Sequence, residues 1–95
     1  MQKILVLEDE HNLANLLKEL LTLEGFDVFT PSNFENVIQS IDEFSPDALV
    51  MDIHLQDQDG LEIIRQIRQD SKHHMLYILT LSGLDLSYEA KAAGA

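Results

Sequence analysis

Short apolar runs alternate with helical patterns along this chain. Ile4-Leu5-Val6-Leu7 is apolar at every position and reads as a strand buried on both faces. Leu13, Leu16, Leu17 and Leu20 then recur at i, i+3, i+4 and i+7, one face of a helix, and Gly25 supplies a C-terminal cap. Phe26 to Phe29 predicts a second short strand. Pro31-Ser32-Asn33 is a turn, with Ser32 or Asn33 as candidate N-cap for a helix carrying Phe34, Val37, Ile38 and Ile41. Ser45-Pro46-Asp47 breaks that helix, and Ala48 to Met51 is a third strand. Asp57-Gln58-Asp59-Gly60 has turn composition. Leu61, Ile63, Ile64 and Ile67 mark a third helix, and Asp70-Ser71-Lys72-His73 is a loop. Met75 to Leu79 predicts a fourth strand, stopped by Ser82-Gly83. Residues 85–93 predict a short Ala-rich helix closed by Gly94. Strict strand–helix alternation means right-handed crossovers and a parallel sheet covered on both faces. The expected fold is therefore α/β, a doubly wound parallel sheet.

The 95 residues make one small domain, and 45% apolar residues is ordinary for a globular chain. There is no cysteine, so disulfides and thiolate metal sites are excluded. The first apolar run is too short for a signal segment or a spanning helix, so a cytoplasmic protein is the expectation. Six Lys and Arg stand against seventeen Asp and Glu, a net charge of -11. That balance opposes contact with nucleic acid phosphates or an anionic membrane, and favours cations and basic partners.

The candidate chemistry lies where the apolar runs stop. Glu8 and Asp9 close the first strand and Asp52 closes the third. Strands of one parallel sheet end on a common edge, and ligands bind at that carboxyl edge. Carboxylates gathered there repel one another unless a cation joins them. Mg2+ suits them, since it takes one or two carboxylates plus water and phosphate oxygens. A carboxylate is also a competent nucleophile toward phosphorus. Alone, each acid is an ordinary strand terminator; together they predict a metal-assisted phosphoryl site. Glu10 serves the start of the first helix, where an acid complements the dipole.

These residues carry a resemblance. Leu5-Val6-Leu7-Glu8-Asp9-Glu10, the segment from Asp52 to Gly60, Ile78-Leu79-Thr80 and Gly94-Ala95 stand in the order and spacing of the receiver domain of bacterial two-component response regulators. The chain resembles that family over residues 1–95, taken as one domain. The resemblance implies a flavodoxin-like, CheY-like order 2-1-3-4, with the family's fifth strand and helix absent. It implies that Asp52 accepts a phosphoryl group from a phosphohistidine on a sensor histidine kinase or phosphotransfer protein. It further implies Mg2+ held by Glu8, Asp9, Asp52 and the backbone carbonyl of His54, with Thr80 contacting the phosphoryl group. Ser82, two residues on, is the alternative hydroxyl.

Two departures from the family accompany it. Gln56 stands where the family usually has proline, and the family lysine at the end of a fifth strand has no counterpart. The expectation is a C-terminally incomplete receiver whose fourth-strand edge is open to self-association. The missing lysine also keeps a second function open, a receiver-like binding or structural module that is not phosphorylated. The residues name neither the kinase nor an output domain. Two other phosphate or metal readings fail. An EF-hand aligned on Gly60 would put Leu55 and Gln66 at ligand positions that require acids. A haloacid-dehalogenase-like phosphatase needs a second Asp where His54 stands. The His73-His74 pair lacks the further ligands of a zinc site.

Overall fold

The computed structural model describes residues 2–55, 58–81 and 94. Its elements are β1 (Lys3–Leu7), α1 (His11–Leu23), β2 (Asp27–Phe29), α2 (Val37–Phe44), β3 (Ala48–Asp52), β4 (His54–Leu55), β5 (Gln58–Asp59), α3 (Gly60–Gln69) and β6 (Tyr77–Leu81). Four strands form one parallel sheet in the order β2-β1-β3-β6. The expected order 2-1-3-4 is thus observed, with β6 as the fourth strand of the sheet. An antiparallel pair, β4 with β5, follows β3 as a small separate ladder. No described helix is long and apolar enough to cross a membrane. The expected helix over residues 85–93 lies outside the described residues, as do Gln56 and Ser82.

Alternation along the strands splits the core in two. Leu5, Leu7, Leu49, Met51 and Ile78 face α2 and α3, meeting Val37, Ile41, Ile63, Ile64 and Ile67. Ile4, Val6, Val28 and Val50 face the other way, against Leu17 and Leu21 of α1. The uninterrupted apolar runs of β1 and β3 have this cause: both faces are covered. Each fully buried Leu or Ile contributes about 1.5–3 kcal/mol relative to exposure. β6 is covered differently. Ile78 is buried, whereas Tyr77 and Leu79, aligned with Ala48 and Val50, are exposed. Among the described residues β3 is the one strand paired to β6.

Three expectations about the elements are corrected. In α1, Leu13, Leu16 and Leu20 are 37%, 50% and 50% exposed, while Ala14, Leu17 and Leu21 turn inward. Seven apolar residues cover half of this helix, so periodicity predicts the helix but not its rotation. The N-cap of α2 is Asn36, whose side chain accepts from Gln39 N at 3.3 Å, not Ser32 or Asn33. Asn33 instead accepts from Glu35 N. The fourth strand begins at Tyr77 rather than Met75, because a turn bond from Leu76 N to His73 O keeps the chain curled until Leu76. Glu10 does start α1, accepting from Asn12 N at 3.1 Å and Leu13 N at 2.8 Å.

α2 ends on Ser45 in the left-handed region, φ 52°, the only non-glycine with positive φ among the described residues. A β-carbon there costs about 1–2 kcal/mol, which glycine avoids. The Ser45 hydroxyl gives back little, a 3.4 Å bond to Asp42 O. Ser45→Gly is therefore expected to stabilise the fold by about 0.5–1 kcal/mol after its greater unfolded-state freedom. A thermal melt that falls on substitution would refute this.

Candidate functional site

β1 and β3 are in register, Leu7 beside Met51, and both run out at the carboxyl edge. The residues that follow are Glu8 and Asp9 on one side and Asp52 on the other. One carboxylate oxygen from each of the three lies within 4.8 Å of the others. The sheet register, a product of buried apolar pairs well below the edge, is what holds these anions together. Glu8 is buried and Asp52 half-buried. Asp52 Oδ1 accepts from His54 N at 3.1 Å, which sets the carboxylate against its own loop. Ile53 O accepts from Gly60 N at 2.9 Å, so the loop closes onto the start of α3. Asp59 caps that helix, accepting from Leu61 N at 3.0 Å.

The other expected residues fall on the same edge. His54 lies in β4, opposite Asp59, with its side chain exposed. Its backbone is thereby tied to the Asp52 loop. Thr80 is the penultimate residue of β6, half-buried and aligned with Met51, one position before the partner of Asp52. The shift of β6 toward the C-terminus puts Thr80 inside the strand rather than beyond it. Residues the sequence reading did not assign to the site also reach the edge. A cleft of about 230 Å³ opens beside Glu8 and Asp9, walled by His11, Asn15, Thr30 and Ser32. Each follows β1 or β2, so the rule that ligands gather at the carboxyl edge would have found them.

Burial pushes the Glu8 carboxyl above its ordinary value. A hydrogen bond shared with Asp9 and the charge of Asp52 push the same way, against backbone amides of Glu10 and Asp9. The folded state thus holds a proton on Glu8 that the unfolded chain releases near 4.5. The contribution to stability is fully present below that pH and is lost as pH rises through the higher folded value. Glu8→Gln removes the lost part, so the metal-free variant is expected to melt higher at neutral pH. The same change removes one anion from the cluster, so its affinity for Mg2+ is expected to fall. Melts with and without Mg2+ check both; a variant that is less stable without metal would contradict this account. The donor set fits a hard divalent cation: three carboxylates, no thiolate, and room beside them for water.

Comparison with known proteins adds the following. The family profile described as the response regulator receiver domain matches residues 4–95. The sensory transduction protein BceR of Halalkalibacterium halodurans is 40% identical over 78 residues, 82% of this chain and 34% of BceR. The alkaline phosphatase synthesis transcriptional regulatory protein PhoP of Bacillus subtilis is 35% identical over 88 residues, 93% of this chain and 36% of PhoP. The chain thus spans about a third of the length of these relatives. Among solved structures, the response regulator TrrA of Thermotoga maritima, in complex with Mg2+ and BeF, superposes with a TM-score of 0.85. It is 30% identical, with 98% of this chain and 81% of TrrA covered.

Proposed function

The chain belongs to the response regulator receiver domain family, and on that premise we propose that Asp52 is its phosphoacceptor. The observation that carries the proposal is the convergence of Glu8, Asp9 and Asp52 within 4.8 Å at the end of β1 and β3. The partner is a sensor histidine kinase or phosphotransfer protein that presents a phosphohistidine. An Asp52 carboxylate oxygen attacks phosphorus, the P–N bond breaks, and the imidazole leaves with its electron pair and takes up a proton. The product is an aspartyl phosphate, a mixed anhydride that water later hydrolyses.

Such a transfer is governed mainly by positioning and by charge stabilisation. Mg2+, held by Glu8, Asp9, Asp52 and the carbonyl of His54, would offset the repulsion between the carboxylates and the incoming phosphoryl oxygens. His54 N, bonded to Asp52 Oδ1, fixes the orientation of the nucleophile. The hydroxyl of Thr80 donates a hydrogen bond to a phosphoryl oxygen without adding charge. The His54 side chain, two residues from Asp52, is exposed. The aspartyl phosphate adds about -1 to -2 charge and new acceptor oxygens, enough to shift a two-state element. The output acted on, by analogy with PhoP, is transcriptional.

The test is to incubate the chain with Mg2+ and a small phosphodonor such as acetyl phosphate. Stoichiometric, hydroxylamine-labile phosphate is the expected result. No mass increase under saturating donor would favour the non-phosphorylated binding module instead.

A further inference from the structure

α3 is anchored at both ends by contacts that no sequence motif announces. At its start, Gly60 N donates to Ile53 O at 2.9 Å, next to Asp52. The approach is so close that a β-carbon on Gly60 would lie 2.5 Å from Ile53 O and 2.6 Å from its Cα. At its far end, Arg68 Nε donates to Gly94 O at 2.6 Å and Arg68 Nη1 to His74 O at 3.1 Å. One guanidinium thus joins the last turn of α3, the loop leading into β6, and a turn twenty-six residues further along the chain. The contact at Gly94 is also close, though it is made to the Arg68 side chain rather than to backbone. Gly94 has φ 117°, and a β-carbon there would meet Arg68 Cγ at 2.7 Å.

Between its anchors the helix is held by core packing. Ile63, Ile64 and Ile67 are buried in the larger core group, and ten residues of helix span about 15 Å. Close-packed interiors do not absorb small displacements; they pass them on or switch. Arg68 is partly desolvated, which lowers its pKa, yet it is in neither ion pair among the described residues. Its charge is met by carbonyl dipoles, an arrangement that spends a five-donor group on fixing backbone positions. A surface arginine placed for solubility would not be so used.

We propose that α3 is a strut that carries displacement of the Asp52 loop to the Gly94 turn and the approach to β6, with Arg68 the positioning residue at its far end. The inference rests on the phosphoacceptor reading for what moves the loop. Phosphate on Asp52 pulls on the Asp52–Ile53–His54 backbone; Gly60 follows because it is bonded to Ile53; Arg68 moves with the helix and takes both carbonyls with it. Since His74 precedes β6, the strand bearing Thr80 is reached from below as well as through the site.

The test follows backbone amide resonances on adding Mg2+ and beryllofluoride, a non-covalent phosphoryl mimic. In the unsubstituted protein, Ile53 and His54 are expected to shift, and Gly94 and Leu76 with them. In Arg68→Gln the shifts at Ile53 and His54 should persist, while those at Gly94 and Leu76 shrink several-fold. Arg68→Lys keeps the charge and stem but cannot bridge two carbonyls in the same way. It should behave like Arg68→Gln, and it serves where the glutamine variant fails to fold. A merely structural role would change the melt without uncoupling the two ends. Full response at Gly94 in the folded variants overturns the strut. So does movement of the Asp52 loop with silence at Gly94 in the unsubstituted protein, and that result leaves the phosphoacceptor reading intact. Silence at both ends overturns that reading and the strut together.

Discussion

Asp52→Asn is expected to abolish phosphate uptake while leaving the fold intact. The amide has nearly the shape of the carboxylate but no anionic oxygen to attack phosphorus. Phosphorylation should fall from stoichiometric to none, read as the loss of the phosphoryl mass increment after incubation with Mg2+ and acetyl phosphate. The fold should survive because the β3 ladder, Ala48 to Asp52, pairs through backbone groups and its apolar residues lie below the edge. Stability without metal should rise, since Asp52 is one source of the repulsion that raises the Glu8 pKa. Binding of Mg2+ should weaken for the same reason, as one of three anions has gone. Hydroxylamine-labile phosphate that persists in Asp52→Asn would move the phosphoacceptor to another side chain and sink the assignment.

Gly60→Ala is expected to be the most destabilising small substitution near the site. Helix propensity alone favours alanine over glycine by about 1 kcal/mol. The contact at this position decides otherwise. The new β-carbon would sit 2.5 Å from Ile53 O and 2.8 Å from Ile53 C, and both are backbone atoms that cannot rotate away. Relief requires moving the Asp52 loop or the start of α3, at about 1–3 kcal/mol for overpacking. The bond from Gly60 N to Ile53 O would stretch or break, worth about 1 kcal/mol more. The sum exceeds the propensity gain, and each net kcal/mol lowers the melting temperature of a domain this size by about 4–8 °C. Phosphorylation should slow as well, since Asp52 rides on the displaced loop. An alanine variant that melts at or above the unsubstituted protein would show that the loop is softer than the contacts imply.

Glycine at 60 could be noticed in the sequence but not understood there. Asp59-Gly60 reads as a turn, the usual reason being backbone freedom. Gly60 has no positive φ; it opens a helix, and its smallness answers the approach of a loop seven residues earlier. Arg68 is a similar case. On a helix beside Arg65, which pairs with Glu62 at 3.4 Å, it looks like another solvent-facing cation. Only the folded chain brings Gly94 to it.

The local pattern was enough to specify the four strands of the parallel sheet, helices α1 to α3 and the acids at the strand ends, but not the small β4–β5 pair inside what reads as a turn. An apolar run buried on both faces must be a core strand, and polar residues must stand where it meets water. That argument needs no neighbours, so Glu8, Asp9 and Asp52 were legible as candidates from position alone. Rotation and register were not legible. The leucines of α1 are chemically equivalent, and which of them are buried depends on how the sheet receives the helix. The two-residue shift of β6 came from a turn bond at His73 that no hydropathy pattern encodes. Chain-local physics therefore determined what each segment is. The tertiary structure decided which atoms meet, because those contacts join residues far apart in sequence through packing that no single segment contains.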